Sequence, residues 1–448
     1  MRDEIKVLII LLIITLVVTN IPKLIYQTQN TLWNVYYERQ VRETFYSDEI
    51  PKYDELSYMG RPMTYLPGYF AAKSLFLWLM GLDYGSIGNW LFETFINISF
   101  VLGMIFLGKT LGLKGLRLII FVLFLVATTF IFTLMSAHLL HVLSLALLTF
   151  SLGFAFSKIK YREFIVGILL GASTIVHAFS IIAFPIIYGV IKLKDIKDSK
   201  EFWRELERGF IIILIALSIL IILYSPILEN YGKLTEALPQ KWGWLLHWGY
   251  QYIYDEYFLL APVLILSSIA GLFFRKTRYL SLFIIIGLIS LFTITFRVNI
   301  IVSILGGFLV ATLFDNKKVQ LLLILLIILN FSILIYRLGG YITPCVDGYI
   351  NSECLTAIKE LRNMPNGVLE DPLLGHATTF IAGKPVLADL YVEYANEQQL
   401  IDAINFSENN NLSIAEKWNI TTILTKGSCG NYTEIYDNGY YRICLRNY

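Results

Sequence analysis

Charge is scarce in this chain. Asp, Glu, Lys and Arg make up 16% of its 448 residues, where a soluble globular domain carries about 25%. That shortage argues against an ordinary soluble enzyme, and it equally excludes a disordered, charge-rich chain. The net charge is +2, too small a surplus for a nucleic-acid footprint. Cysteine is rare: there are four, all after residue 340. No Walker or Rossmann glycine pattern is present, and no CxxC or HExxH. Phosphate-loop, dinucleotide, dithiol and zincin chemistry therefore have no motif to stand on. Nor is there a convincing internal repeat.

What fills the chain is apolar: 56% hydrophobic residues and a mean hydropathy of +0.63. Runs of about 17–22 apolar residues recur, the length that crosses about 30 Å of hydrocarbon. The expected fold class is an α-helical polytopic membrane protein. The first span, 7–21, follows a short charged start and lacks a small-residue cleavage site, so a retained anchor is expected. Further spans are expected at 88–108, 116–136, 138–157, 209–226, 257–274, 279–296, 298–314 and 319–337.

The stretch Phe164–Ile191 is 28 residues long, about 42 Å as one helix. Both of its flanks are basic: Lys158, Lys160 and Arg162 before it, and Lys192, Lys194, Lys197, Lys200, Arg204 and Arg208 after it. Basic flanks mark the cytoplasmic side, so this stretch is expected to enter and return as two short spans. Its middle, Gly171–Ser180, is rich in small residues and carries His177. Short broken helices are tolerated where they line a cavity. The result is about eleven crossings, with the N-terminus inside and the C-terminus outside.

That count requires 64–82 to lie on the outer face as a helix, with Tyr65, Tyr69 and Trp78 in the headgroup zone. Residues 1–337 then form the membrane domain, with a long outer loop at 22–87. Residues 338–448 form a polar, extracytoplasmic α/β domain. In it, helices are expected at 352–364 and 397–406, and strands at 368–369, 385–387, 420–424 and 440–445. All the cysteines lie there: Cys345, Cys354, Cys429 and Cys444. Pairs 345–354 and 429–444 are the simplest of three connectivities, and confinement to one domain suits an oxidising exterior. Four N-x-S/T triplets, at Asn405, Asn411, Asn419 and Asn431, point the same way.

With this topology all five histidines reach the outer side: His138, His141, His177, His247 and His376. So do the first-loop carboxylates Glu38, Glu43, Asp48, Glu49, Asp54 and Glu55. Glu93 lies a turn into the second span, and Arg297 sits at an outer span junction. Ionisable groups at membrane depth are costly, and they are usually functional or paired. His138 and His141, three apart, share a helix face; they either bind a metal or move a proton, or they cap the span among headgroups. Arg297 either clamps a phosphate with its planar guanidinium or snorkels to lipid. The acidic loop is either solvated surface or a shaped site.

Four stretches carry a resemblance. WNVYYERQVRETF and IPKYDELSYMGRPMTYLPGY resemble the first outer loop of the GT-C class of integral-membrane glycosyltransferases, above all its archaeal members. GILLGASTIVHAFSIIAFP resembles the glycine-rich broken span of that class. TFRVNIIVSILGGFLVATL resembles its late span, whose arginine faces a lipid phosphate. The class includes oligosaccharyltransferases, protein mannosyltransferases and aminoarabinose transferases, and the order of parts matches along nearly the whole chain. Oligosaccharyltransferases place an Asp before the aromatic pair of that loop; here Asn34 stands near that place, and Glu38 is the nearest carboxylate. A second acidic motif of the class is replaced by SAHLLH, and no WWD-type acceptor motif follows the last span.

The resemblance implies transfer of a sugar from a polyprenyl-phosphate donor of the dolichyl-phosphate kind to an acceptor on the outer face. Arg297, with Arg61, Tyr65 and His177, would contact the substrate. A loop carboxylate would act as general base: Glu38 or Asp54 first, then Asp48, Glu49 or Glu55. A divalent metal, Mg or Mn, is the implied cofactor; it would be held by carboxylates with His138 and His141. Two other functions fit the same features. One is a transporter or flippase of a lipid-linked or anionic solute; the other is a non-catalytic membrane assembly protein.

Overall fold

The structure, a computed structural model, describes residues 32–47, 53–62, 67–127, 139–193, 198–231, 264–274, 276–291, 298–317, 319–328, 352–365, 367–372, 374–389 and 396–446, with positions 6, 9, 12, 13, 49 and 196. Most of these residues are helical. The helix α1 (Leu32–Ser47) leads to a two-stranded ribbon, β1 (Tyr53–Asp54) against β2 (Arg61–Pro62). Then come α2 (Gly68–Leu79), α3 (Ser86–Thr110), α4 (Leu116–Ala127), α5 (Leu139–Phe156), α6 (Arg162–Val176), α7 (Ser180–Lys192) and α8 (Ser199–Tyr231). They are followed by α9 (Arg278–Leu291) and α10 (Val298–Leu313).

Three helices among the described residues are long and apolar enough to cross a membrane: Ile87–Thr110, Leu139–Phe156 and Ser199–Leu223. Shorter apolar helices accompany them, among them Leu116–Val126, Ile300–Leu313 and Val319–Ile328. This set makes the chain an integral membrane protein. The expected first span lies almost wholly outside the described residues. The helix expected at 209–226 begins ten residues earlier. Asp198 accepts the Glu201 amide at 2.8 Å, an N-cap that starts the helix in the basic segment.

The long stretch at 164–191 breaks, as its small-residue centre predicts. Helix α6 ends at Val176, His177 is extended, and α7 begins at Ser180. Three buried serines tie the break together. Ser144 Oγ lies 2.6 Å from Ser180 Oγ, and Ser173 Oγ donates to Ser180 Oγ and to the Ser144 carbonyl, both at 2.8 Å. The glycines of the preceding helix let α8 approach closely: a Cβ on Gly167 would sit 2.7 Å from Ile215, and one on Gly171 3.0 Å from Ile219. Small residues of this kind allow helices to pack closely in lipid, where no hydrophobic force drives them together.

Helix α2 is 12 residues long, about 18 Å, too short to cross. Tyr69, Phe70, Lys73 and Leu77 are buried, whereas Leu75, Trp78, Leu79 and Met80 are exposed. This two-faced pattern fits a helix lying along a surface.

After residue 351 the chain forms a small α/β unit. Helix α11 (Ser352–Glu360) precedes β3 (Val368–Leu369), and α12 (Glu397–Asn409) and α13 (Ser413–Lys417) precede β4 (Thr422–Thr425). The hairpin β5 (Thr433–Asp437) and β6 (Arg442–Leu445) closes the unit. The sheet order is β3-β4-β6-β5, with β3 parallel to β4 and the other pairs antiparallel. Val386 adds a parallel bridge beyond β3. The expected strands at 368–369, 385–387, 420–424 and 440–445 correspond to β3, this bridge, β4 and β6. Strand β5 was not anticipated: TEIYD lies exposed at the sheet edge, with no buried apolar face to give an alternating pattern. Cys429 bonds to Cys444. Cys354 is also disulfide-bonded, and Cys345 lies outside the described residues.

Candidate functional site in the first loop

The first loop is shaped by charges that are taken out of water. Glu38 and Lys73 form an ion pair between α1 and α2, with side chains 2% and 0% exposed. Tyr84 donates to Glu38 Oε2 at 3.0 Å and Tyr69 to Oε1 at 3.4 Å. Lys73 also lies over the Phe92 ring, 5.7 Å from its centroid. Burial lowers the Lys73 pKa and the Glu38 charge opposes that shift. Tyr84 is held protonated by burial and by Glu38. The helices meet through Tyr37, whose ring is 5.9 Å from Tyr69 and 6.2 Å from Phe70.

A second buried pair lies one residue on. Arg39 bonds Asp54, with side chains 1% and 2% exposed. Asp54 Oδ1 also accepts the amides of Leu56 and Ser57, each at 3.1 Å. This carboxylate fixes the turn between β1 and β2, in which Tyr58 and Met59 take left-handed φ of 50° and 57°. Backbone held in such regions costs about 1–3 kcal/mol per residue, and it persists only where surroundings enforce it.

Those surroundings are the C-terminal unit. The Val386 amide donates to the Leu56 carbonyl at 3.0 Å, and the Met59 amide donates to the Val386 carbonyl at 3.1 Å. The loop is therefore laid along the edge of the sheet. Ser57 donates to Asp389, and Tyr58 OH donates to the Asp389 carbonyl at 2.7 Å. His376 Nδ1 stands 3.4 Å from Asp389 Oδ2. Nearby, Thr378 donates to Glu370 at 2.7 Å. Burial, partly offset by that hydroxyl and reinforced by Asp371 and Asp389, pushes the Glu370 carboxyl up to about 8. Arg42 rests on the Phe380 ring at 5.1 Å.

Among the other expected carboxylates, Glu49 and Glu55 are exposed, and Asp48 lies outside the described residues. Glu43 has the most distinctive environment. It is one turn from Arg39, 3.9 Å from its Nε, and 39% exposed. Burial raises its pKa despite Arg39. It stands at the mouth of the buried pair and faces water.

Of the expected substrate contacts, Arg297 and Tyr65 lie outside the described residues, and Arg61 is described only as a backbone pairing in β2. His177 sits at the α6–α7 break, its ring 4.4 Å from that of His141 on α5. His138 and His247 lie outside the described residues. Among the described residues no three His, Cys, Asp or Glu converge to hold a metal. Glu38 and Asp54 are each matched to a protein cation, so these two carboxylates do not offer the free oxygens that Mg or Mn takes. Sequence reading overlooked Lys73 and Arg39. Lys73 carried a signal: it sits at i+4 from Tyr69 and i−4 from Leu77, in the apolar stripe of its helix.

The fold, a bundle of apolar helices with a small C-terminal α/β unit, is similar to that of GT-C glycosyltransferases of known structure. The oligosaccharyltransferase of Archaeoglobus fulgidus in its apo form superposes with a TM-score of 0.64 at 14% identity, covering 94% of this chain and 69% of that one. ArnT from Cupriavidus metallidurans bound to undecaprenyl phosphate gives 0.55 at 12% identity, covering 97% of both chains. The mycobacterial arabinofuranosyltransferase AftD gives 0.59 at 11%, covering 98% of this chain and 39% of that one. No family sequence profile and no curated protein sequence matches the chain.

Proposed function

We propose that this protein moves a sugar from a polyprenyl-phosphate donor to an acceptor at the outer face of the cell membrane. The supporting observation is the extent of the fold likeness. It runs through 93–98% of the chain, and two of the similar structures hold lipid phosphates: dolichol-phosphate in the archaeal enzyme and undecaprenyl phosphate in ArnT. The charge asymmetry of the loops supports an inside N-terminus and an outside C-terminal domain from 338 onward.

In this reading Arg297 takes the donor phosphate and stabilises the charge left on it as the glycosidic bond breaks. Arg61, Tyr65 and His177 contribute further substrate contacts. Glu38 and Asp54 shape the loop, because their lone pairs are already committed to Lys73, Tyr84 and Tyr69, and to Arg39 and two amides. The general base comes from the carboxylates with access to water: Glu43 first, then Glu49 and Glu55. A base works best with its pKa near the working pH, and the upward shift of Glu43 is in that direction.

The test is transfer by the purified protein from radiolabelled polyprenyl-phosphate sugars to a panel of hydroxyl and amide acceptors. Label appearing on an acceptor supports the reading. Movement of intact lipid-linked sugar across vesicles, with no transfer to any acceptor, supports the transporter reading instead.

A further inference from the structure

The outer unit carries four N-x-S/T triplets between residues 405 and 433: Asn405-Phe406-Ser407, Asn411-Leu412-Ser413, Asn419-Ile420-Thr421 and Asn431-Tyr432-Thr433. The structure leaves all four asparagines exposed. Asn405 projects from α12 between the buried Ile404 and Phe406. Asn411 lies in the turn to α13, and its carboxamide oxygen accepts from the Ser413 amide at 3.3 Å and the Ser413 hydroxyl at 2.7 Å. Asn419 follows α13 with a left-handed φ of 52°. Asn431 lies in the turn between disulfide-bonded Cys429 and β5. The triplet at Asn97-Ile98-Ser99 is the contrasting case: Asn97 is buried inside the apolar helix α3.

Their placement also leaves the docked loop clear. The first loop joins at Val386, beyond β3. Strand β5, which follows Asn431, is at the opposite end of the sheet. Tyr432 donates to the Leu412 carbonyl at 3.1 Å, so the turns that carry Asn411 and Asn431 adjoin. Asn431 lies two residues before β5, the exposed edge strand of the sheet, the kind of edge that folded proteins protect from pairing with other chains.

We infer that the C-terminal unit is itself N-glycosylated, on Asn411 and Asn431 first and on Asn405 and Asn419 with them. The co-reactant is a lipid-phosphate- or lipid-pyrophosphate-linked saccharide at the outer face. The asparagine Nδ2 bonds to the anomeric carbon of the sugar as the bond from that carbon to the phosphate oxygen breaks. The amide gives up one proton to a base, and the lipid phosphate leaves with the bonding pair. The inference rests on the outer placement of this unit, not on the activity proposed above.

The experiment is glycopeptide mass spectrometry on the full chain purified from its own cells. A membrane-impermeant amine reagent applied to those intact cells reports on the exposed Lys417 and Lys426. The expected result is a saccharide mass on the Asn411 or Asn431 peptide, none on Asn97, and labelled lysines. Each modified site then loses its increment in Asn411→Gln or Asn431→Gln. It also does so in Ser413→Ala or Thr433→Val, which keep the asparagine. Bare Asn411 and Asn431 peptides with labelled lysines overturn the inference and leave the outer placement standing. Bare peptides with unlabelled lysines overturn both.

Discussion

The molecule holds two clusters of charge, and they are built differently. In the first loop, Lys73 with Glu38 and Arg39 with Asp54 are almost wholly withdrawn from solvent. Around the ends of α6, α7 and α8, Arg208 reaches Glu163 at 3.4 Å and Glu205 at 2.6 Å, and Tyr188 donates to Glu205 at 2.5 Å. There the Arg208 and Glu163 side chains remain 32% and 28% exposed, and Glu205, at 10%, is the one member close to burial. A buried pair stripped of one partner leaves an uncompensated charge and costs about 3–5 kcal/mol, whereas an exposed pair is worth about 0–1 kcal/mol. The second cluster belongs to the basic segments that the proposed orientation puts on the cytoplasmic side. The first sets geometry, and it does so where the sheet of the C-terminal unit clasps the loop.

The sharpest way to break this contrast is Lys73→Ala. Thermal unfolding in detergent should show a loss of about 3–5 kcal/mol, and the double replacement Lys73→Met with Glu38→Leu should recover much of it. If Lys73→Ala unfolds like the wild type, the first cluster is no more structural than the second.

Next in size is a pH effect in the seam. Glu370 titrates at about 8 when folded, against an ordinary value of 4.5. A raised folded pKa means that the folded protein binds the proton more tightly. The contribution of this group is therefore fully present below about 4.5 and is lost as pH rises through 8. Melting temperature should fall between pH 5 and 8, and Glu370→Gln should flatten that slope. A slope unchanged in the variant would assign it to other groups.

Ser57→Ala removes one hydrogen bond to the Asp389 carboxylate, at about 1.5–3 kcal/mol. It should speed proteolysis in the 53–62 turn more than elsewhere. The smallest effect belongs to the exposed rim of the second cluster: Arg204→Ala, which removes a pair with Glu201 at 3.5 Å whose side chains are 59% and 31% exposed, should shift stability by about 1 kcal/mol or less. A larger loss there would erase the distinction between the two clusters.

How much of this was legible beforehand depends on where burial decides the outcome. The break at His177 was legible because basic flanks and a small-residue centre are properties of the sequence itself. A helix within 64–82 was legible too, kept from crossing by the basic loop at 108–117; its length of only 12 residues came with the structure. The disulfide Cys429–Cys444 was one member of the simplest pairing. The tie between Asp54 and the far Ser57–Asp389 contact was not legible, because it joins residues 332 positions apart through a turn with left-handed backbone at two non-glycine residues. Glu38 and Asp54 drew attention as carboxylates in an outer loop, yet pattern alone cannot tell a carboxylate matched to a buried cation from one facing water. Glu43 was in view, but its half-buried position beside Arg39 came only with the fold.

The central claim is that the loop is held by its buried pairs and acts through a carboxylate at their edge. Its most direct test is the rate of sugar transfer by Glu43→Gln, measured beside its melting curve. The expected result is a melting temperature close to wild type with transfer reduced about 100-fold or more, the usual effect of removing a general base. Wild-type transfer by that variant would contradict the account.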